Sequence, residues 1–373
     1  MTLTKQQHQI MKIMMDLGRD TKPNEIENIF KEKHDQIGDT SIYKQLDRMV
    51  ADGFVKRVSH GMYNLTEKCL AIINKNNVTE EKFIRFSEDE IKEFKEFAKN
   101  ENCPELLAEM LNPALLGLKK ERLASIIALV SMKDEHGDRN RITVLLSGPP
   151  SVGKSQIIRW MYHFLWGYWV ESDASNSSLK GTGKGYQFSE GVLQKADNSI
   201  LFVDEIDKMP KKDQASLLSA IELGIVKVNK DRVDRETPAR IRVIATCNNK
   251  QMVMEQLLSR FDIQLEVKEL GEEESNRLLT KRTNDWNREK MSQMGPAFLK
   301  KYLMFANQWE TQLPEDREWI NNYLLKELKY GVLQNKDPRQ LEAMYRMSIS
   351  IGKLRLHPEV TQEDLKRAME LLG

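Results

Sequence analysis

Apolar and polar positions follow two rhythms along this chain, and the change of rhythm marks its organisation. The first 75 residues begin with a helical rhythm: QHQIMKIMMDL puts Ile10, Ile13, Met14 and Leu17 on one face. Pro23 and Asn24 open a second short helix, EIENIFKEKH. Asp39-Thr-Ser can cap a third, SIYKQLDRMVADG, which ends at Gly53. FVKRVSHGMYNLT then predicts two short strands turning at His60-Gly61. Residues 76–90, NNVTEEKFIRFSEDE, are polar and predict a linker. From 91 to 270 helical patterns alternate with short apolar runs: RITVLLSG, YWVES, SILFVDE and IRVIATCN. Strands alternating with helices predict a parallel sheet flanked by helices, an α/β core. Residues 271–373 read as helices, including QLEAMYRMSISIGKL and TQEDLKRAMELL, and predict a small helical lid.

Three helices followed by a hairpin, over residues 1–75, resemble a winged-helix domain. In that fold the third helix enters the DNA major groove. The resemblance places Thr40, Ser41, Tyr43, Lys44 and Arg48 towards DNA and Lys56, Arg57 and His60 on the wing. The segment is nearly charge-balanced, so a winged helix used for protein contacts stays open beside the DNA reading.

The chain has 373 residues, enough for two or three domains. Its 40% hydrophobic and 30% charged residues are normal for a globular protein with a buried core. A net charge of +1 gives no global basic field, so any surface for nucleic acid is local. No apolar segment is long enough to span a bilayer, and the start, MTLTKQQHQIMK, lacks the apolar run of a signal peptide. The three cysteines are far apart and form no C-x-x-C, which fits a reducing compartment and argues against a zinc ribbon. The expectation is a cytoplasmic protein without a membrane role.

The stretch Gly148, Pro149, Pro150, Ser151, Val152, Gly153, Lys154, Ser155 fits G-x-x-x-x-G-K-[ST]. A buried-strand run enters it and KSQIIRWMYHFL leaves it as a helix, the context a phosphate-binding loop requires. Loop N–H groups cradle phosphates, Lys154 brings a point charge to the terminal ones, and Ser155 is a Mg²⁺ ligand. ATP and Mg²⁺ are therefore the expected cofactors. SILFVDEID carries Asp204 and Glu205 to the tip of a strand. Asp204 would hold the Mg²⁺ shell and Glu205 would polarise the attacking water. Asp207 reads as a solvated capping residue. Asn248, ending IRVIATCNN, could bond the γ-phosphate or orient the water. The aromatic run WMYHFLWGYWV, with Trp160, Tyr162, Trp166 and Trp169, points to core packing or a subunit interface rather than base stacking.

The order GPPSVGKSQ, LFVDEIDKM, ATCNN, LLSRFD resembles an AAA+ ATPase, specifically the minichromosome maintenance (MCM) helicases. The resemblance runs from about residue 87 to the C-terminus, including the helical lead-in and PRQLEAMYRMSISIGKLRL of the lid. It implies an AAA+ P-loop ATPase fold with a C-terminal helical lid and, here, an N-terminal winged-helix domain. It adds Gln156 of the KSQ to the nucleotide loop. It places Asn248 at sensor 1, Arg260 at the arginine finger that reaches a neighbour's γ-phosphate, and Arg339 at sensor 2. It implies a homo-oligomeric ring, a hexamer, acting on DNA. GIVKVNKDRVDRETPARIR predicts a hairpin with a basic tip where MCM proteins carry a channel hairpin. Counting back from Asn248 puts Lys230 on the family's channel lysine, with Lys227 and Arg232 beside it as DNA contacts.

Two features depart from the family's pattern. The winged helix comes first, where an OB-fold domain, often with a zinc ribbon, is usual, and the helix-2 insert looks shortened to KGYQFSE. The expectation is a compact relative of the kind carried by plasmids, viruses or integrated elements. Three activities remain in view: an ATP-driven DNA motor, an AAA+ initiator or loader that does not unwind, and a MoxR-like protein remodeller.

Overall fold

The computed structural model describes residues 7, 9–11, 13–14, 21–33, 42–59, 62–66, 86–113, 115, 117–131, 139–184, 187–230, 233–269, 287–331 and 338–372. Packing divides the chain into two units. One holds residues 1–80 with 160–166 and 285–301; the other holds 81–159, 167–284 and 302–373. Helix Asn287–Gln308 contributes to both and breaks at Gly295, where φ is 64° and a proline follows. The boundaries of this grouping therefore differ from a simple division at residue 271.

In the first unit the described turns around residues 7–14, helix Pro23–Lys33 and helix Ile42–Ala51 precede an antiparallel pair, β1 (Val55–Ser59) and β2 (Met62–Leu65). Ile10, Ile13, Met14, Ile26, Phe30, Ile42, Leu46 and Met49 close one core with Phe54, Val55, Tyr63 and Leu65. Thr21 bridges to Tyr63 through paired backbone bonds of 2.9 Å. Leu17, Thr40, Ser41 and the turn at His60-Gly61 lie outside the described residues.

The expected linker is corrected at its C-terminal end. Ser87 caps helix Glu88–Ala98 in a capping box with Glu90, and Phe86 packs edge-on against Phe94 and Phe305. The polar run SEDE that suggested a connector is a helix start, because S-x-x-E pairs its side chains with orphan N–H groups.

The second unit is built on five parallel strands. In chain order its strands are β3 (Thr143–Ser147), β4 (Tyr168–Val170), the short antiparallel pair β5 (Thr182–Lys184) and β6 (Gln187–Ser189), β7 (Ile200–Val203), the hairpin β8 (Ile225–Lys230) and β9 (Val233–Pro238), β10 (Arg242–Cys247) and β11 (Ile263–Glu266). The central order is β11-β3-β10-β7-β4. Every residue of β3, β7 and β10 is buried, as a sheet flanked by helices requires. Leu145, Leu201, Val243 and Ala245 pack with Leu217, Ala220 and Ile221 of helix Lys211–Leu223. Helix Lys119–Val130 lies against β3 and β10. Trp160 and Trp166 are buried, in keeping with a packing role.

The fifth strand, β11, was not foreseen. Among the described strands it pairs only with β3, and it leaves Gln264 and Glu266 exposed, so its sequence lacks the continuous apolar run of its neighbours. The lid consists of the C-terminal half of helix 287–308 with Glu318–Tyr330, Pro338–Leu354 and Gln362–Leu372. Among the described residues no helix is long and apolar enough to cross a membrane.

Candidate functional site

Parallel strands deliver their C-terminal ends to one edge of the sheet, and the register aligns them there. Cys247 lies opposite Ser147, and Ala245 opposite Val203. Gly148, the adjacent Asp204 and Glu205, and Asn248 thus converge from three strands far apart in sequence. The loop from Gly148 turns tightly. Gly148 has φ 143°, and a Cβ there would collide with the Val267 carbonyl. Gly153 has φ 94° beside the side chains of Leu115 and Leu118. Both glycines are thus required by conformation as well as space. Pro149 and Val152 are half-buried, while Pro150 and Ser151 are exposed at the loop's crest. Gln156 is exposed on the helix, and its carbonyl accepts from Asn112 Nδ2 at 3.4 Å.

Lys154 is buried, and among the described residues its ammonium donates only to neutral oxygens. These are the Gly148 carbonyl at 2.7 Å, the Pro149 carbonyl, and Asn248 Oδ1 at 3.0 Å. Burial pushes its pKa down from the ordinary lysine value, against the pull of Asp207, Asp204 and Glu205 nearby. A buried cation touching no carboxylate is a site for an anion. That is the physical sense in which a phosphate fits here.

Ser155 Oγ donates to Asp204 Oδ1 at 2.7 Å, and Thr246 Oγ1 donates to the same oxygen at 2.6 Å. The hydroxyl and carboxylate therefore sit together as hard oxygen donors, the set Mg²⁺ prefers. Arg159 approaches the other oxygen, Oδ2, at 3.5 Å. Glu205 follows in a left-handed conformation, φ 53°, with its N–H on Thr246 Oγ1 at 2.9 Å. Such backbone strain in a non-glycine residue is concentrated at working sites. One Glu205 oxygen accepts from Asn248 Nδ2 at 3.4 Å and the other from Lys208 at 2.7 Å. Asn248 thereby bridges the lysine and the glutamate.

The reading of Asp207 as a solvated cap is corrected. Its Oδ2 accepts from the N–H groups of Asn248 at 3.2 Å and Asn249 at 3.0 Å, fixing the end of β10. Thr246 was not singled out by sequence. Its alignment opposite the β7 tip is visible only once the strands are registered.

Arg260 and Arg339 lie elsewhere. Arg260 directly precedes Phe261 and Asp262 at the start of β11, and its carbonyl accepts from Thr143 Oγ1 at 2.8 Å. Thr143 begins β3, whereas Gly148 follows its end; five residues of strand separate them by roughly 16 Å. Arg260 is at the edge of the sheet opposite the phosphate loop. There it lines a cleft of about 540 Å³ with Arg139, Glu222, Asp262, Arg339 and Arg346. Glu222 pairs with the Arg260 guanidinium. Asp262, its side chain 6% exposed, accepts from Arg139 at 2.7 Å and from Thr143 N–H at 2.8 Å on one oxygen, and from Arg346 at 2.6 Å on the other. It fastens the lid helix bearing Arg339 to the sheet. Neither Asp262 nor its two arginine partners stood out in the sequence, because they lie 123 and 84 residues apart from it.

Residues 90–285 match the family model described as the MCM P-loop domain, and residues 297–373 that of the MCM AAA-lid domain. The chain belongs to the MCM family. It is 27% identical over 357 residues to the minichromosome maintenance protein MCM of Saccharolobus solfataricus, covering 86% of this chain and 51% of that protein. It is 24% identical over 337 residues to an uncharacterized MCM-type protein of Methanocaldococcus jannaschii, covering 78% and 48%. It is 25% identical over 325 residues to the DNA replication licensing factor mcm6 of Schizosaccharomyces pombe, covering 77% and 36%. The chain spans about half the length, or less, of these MCM relatives. The parallel sheet, phosphate loop and helical lid together are the AAA+ fold expected.

The hairpin expected in an MCM protein between the Asp204-Glu205 tip and Asn248 is formed by β8 and β9, with Lys230 opposite Val233. Val226 and Val228 are buried beneath it. Arg232 lies outside the described residues. Lys227 is not a free charge on this hairpin: Glu236, directly across, meets it at 2.9 Å. Arg235 stacks over Phe188 of β6, 5.0 Å from the ring centre. The shortened insert is thus the small β5–β6 pair, held beside the larger hairpin. In the first unit Lys44, Arg48 and Lys56 are exposed. Arg57 instead bonds Asp47 at 2.6 Å and lies over the Tyr63 ring. Spacing alone did not show that Lys227 and Arg57 each face an acid.

Proposed function

We propose that this chain is an ATP-driven DNA motor whose nucleotide sites are completed between copies of the chain in a ring. The observation that carries this reading is the separation of the two half-sites. Lys154, Glu205 and Asn248 lie at one edge of the sheet, and Arg260 with Arg339 at the other. An arginine on the second edge serves a nucleotide held by a neighbouring copy.

Lys154 would hold the terminal phosphates, and Ser155 with Asp204 would hold Mg²⁺, whose charge would offset that of the phosphates. Glu205 draws the proton side of the attacking water, with Asn248 keeping its carboxylate and Lys154 in register. Thr246 orients both Asp204 and the Glu205 backbone. Arg260 and Arg339 of the next copy meet the charge that develops on the transferred phosphoryl group. A closed ring of such contacts, a hexamer, brings the β8–β9 hairpins together, and Lys230 of each supplies a sequence-independent phosphate contact. Lys44, Arg48 and Lys56 offer a second, separate surface for DNA.

The deciding experiment is strand displacement from a forked substrate, run beside ATP turnover with and without DNA. A motor displaces the strand and turns over faster on DNA. Turnover that responds to DNA without displacement identifies a loader, and turnover indifferent to DNA identifies a protein remodeller.

A further inference from the structure

Arg260 is held by a residue that no motif marks. Glu222 stands in the last turn of helix Lys211–Leu223, 38 residues before its partner, and takes the Nη2 nitrogen of the guanidinium. We infer that Glu222 is a positioning residue for the arginine each subunit offers its neighbour, and this rests on the trans reading of Arg260 proposed above.

Both ends of the pair have fixed backbones. The helix stops at Gly224 with φ 66°. Buried Arg141 donates to the carbonyls of Ala220 at 3.0 Å and Ile221 at 3.3 Å, and to Ile241 of the sheet at 3.1 Å. On the other side the Arg260 carbonyl is held by Thr143 and, at 3.1 Å, by Arg139. The side chain is the part left to order. A free arginine side chain carries rotamer entropy, which an ion pair formed in advance removes before the neighbour arrives.

The remaining charges of the cleft do not compete for this role. Asp262 is occupied by Arg139 and Arg346, and Glu342 lies 4.0 Å from Arg346. Glu222 is the acid that meets Arg260, and Nε of that arginine is buried with no bond. Glu222 grips Nη2, and Nη1, which makes no bond among the described residues, is the nitrogen left for an incoming phosphate. Donors preorganised in this way strengthen where charge develops, without reorganising during the reaction.

The test separates the two subunits that make one site. Arg260→Ala protein supplies only phosphate loops, and Lys154→Ala protein supplies only arginines; their mixture restores turnover. When Lys154→Ala/Glu222→Ala is the arginine donor, restored kcat falls at least about tenfold, the scale of an orienting partner. This is well short of the roughly 10³–10⁵ at stake in the arginine itself. KM for ATP stays within about twofold, as for an interaction made in the transition state. When the second change is instead placed on the loop donor, Arg260→Ala/Glu222→Ala, no further loss follows. Glu222→Gln on the arginine donor, which keeps the acceptor oxygen, falls between. Equal loss from either donor, or none from the arginine donor, overturns the role of Glu222 while leaving the trans arginine standing. No recovery in the parent mixture, with mixed assemblies shown by size, removes both.

Discussion

The two edges of the central sheet differ in how their polar groups are connected. At the C-terminal edge Lys154, Asn248, Glu205, Thr246, Asp204 and Ser155 form one continuous chain of hydrogen bonds. At the opposite edge Arg139, Arg260, Arg339 and Arg346 face a cleft that offers Glu222, Asp262 and Glu342 as acids. Nε of Arg260 and Nε of Arg346 are both buried there without a bond. The difference is one of charge: the first edge joins one lysine to its acids through neutral groups, whereas the second gathers four arginines around three acids, and on the reading proposed above that second edge is offered to a neighbouring copy.

The largest effects come from breaking each half separately. Lys154→Ala is expected to abolish both nucleotide binding and turnover, because it removes the one cation that the loop holds. Arg260→Ala is expected to lower kcat by about 10³–10⁵, roughly 4–7 kcal/mol, while nucleotide affinity falls far less. Glu205→Gln should resemble Arg260→Ala in this split, since neither group holds the loop's phosphates within its own copy. Fluorescent-nucleotide titration beside steady-state turnover reads both quantities. Equal loss of affinity in Arg260→Ala and Lys154→Ala would place the arginine in its own site and erase the comparison.

How far the sequence showed this depends on whether a role is local. The loop, the Asp204-Glu205 tip and Asn248 each end an apolar run, so pattern and chemistry coincide within a few residues. The lid helices announced themselves by period. Asp207, Thr246 and Asp262 did not, because their partners come from other strands and from a lid helix. β11 escaped notice as an edge strand with two exposed polar positions. Glu222 reads as an ordinary surface acid until the helix end meets Arg260. What is missing from a sequence is the pairing of distant residues, and at the arginine cleft that pairing is most of the site.

A change in the lid tests whether the arginine edge fails for local or global reasons. Asp364 is fully buried and bonds Arg355 at 2.8 Å, His357 at 3.0 Å and the Thr361 N–H at 2.9 Å. Its helix packs on the one that carries Arg339. Asp364→Ala leaves a largely buried arginine uncompensated and should destabilise by about 3–5 kcal/mol, seen as a lower denaturation midpoint. Burial pushes the Asp364 carboxyl up, but the bonds from His357, Thr361 and Arg355 outweigh it and hold it below the ordinary value. A carboxyl held low stabilises the fold above its unfolded pKa, about 3.9, and that contribution is lost as pH falls through the lower folded value. Below about pH 4 the parent should therefore lose stability more steeply than Asp364→Asn. Parallel slopes would show that this carboxyl is not the group that titrates.

A smaller effect is expected at the β8–β9 hairpin, which belongs to neither edge. Lys230→Ala should leave basal turnover intact and reduce DNA stimulation and strand displacement. Plotted against salt, DNA affinity should lose about one unit of logarithmic slope per phosphate contact removed, equally for unrelated sequences. Loss confined to one sequence would mean that the hairpin reads bases.

The smallest effect separates a charge that is exposed from a charge that is available. Lys227 and Arg57 are both exposed, yet each sits within 3 Å of an acid, Glu236 at 2.9 Å and Asp47 at 2.6 Å. The bond to Glu236 raises the Lys227 pKa above its ordinary value, so the lysine stays charged while its field is cancelled nearby. A phosphate reaching Lys227 must also approach Glu236, and the repulsion offsets most of the attraction. Exposed pairs of this kind contribute little to stability, so neither partner is held by much. Lys227→Ala should then change DNA affinity less than about threefold and the salt slope hardly at all. Glu236→Ala is the sharper probe, because it leaves Lys227 without its counter-charge on a hairpin whose backbone pairing stays intact. DNA affinity should rise at low salt and the gain should vanish as salt screens it. A Lys227→Ala loss as large as that of Lys230→Ala would show that Glu236 swings away when DNA binds, and that proximity in the unbound chain is no guide to which lysine carries the contact.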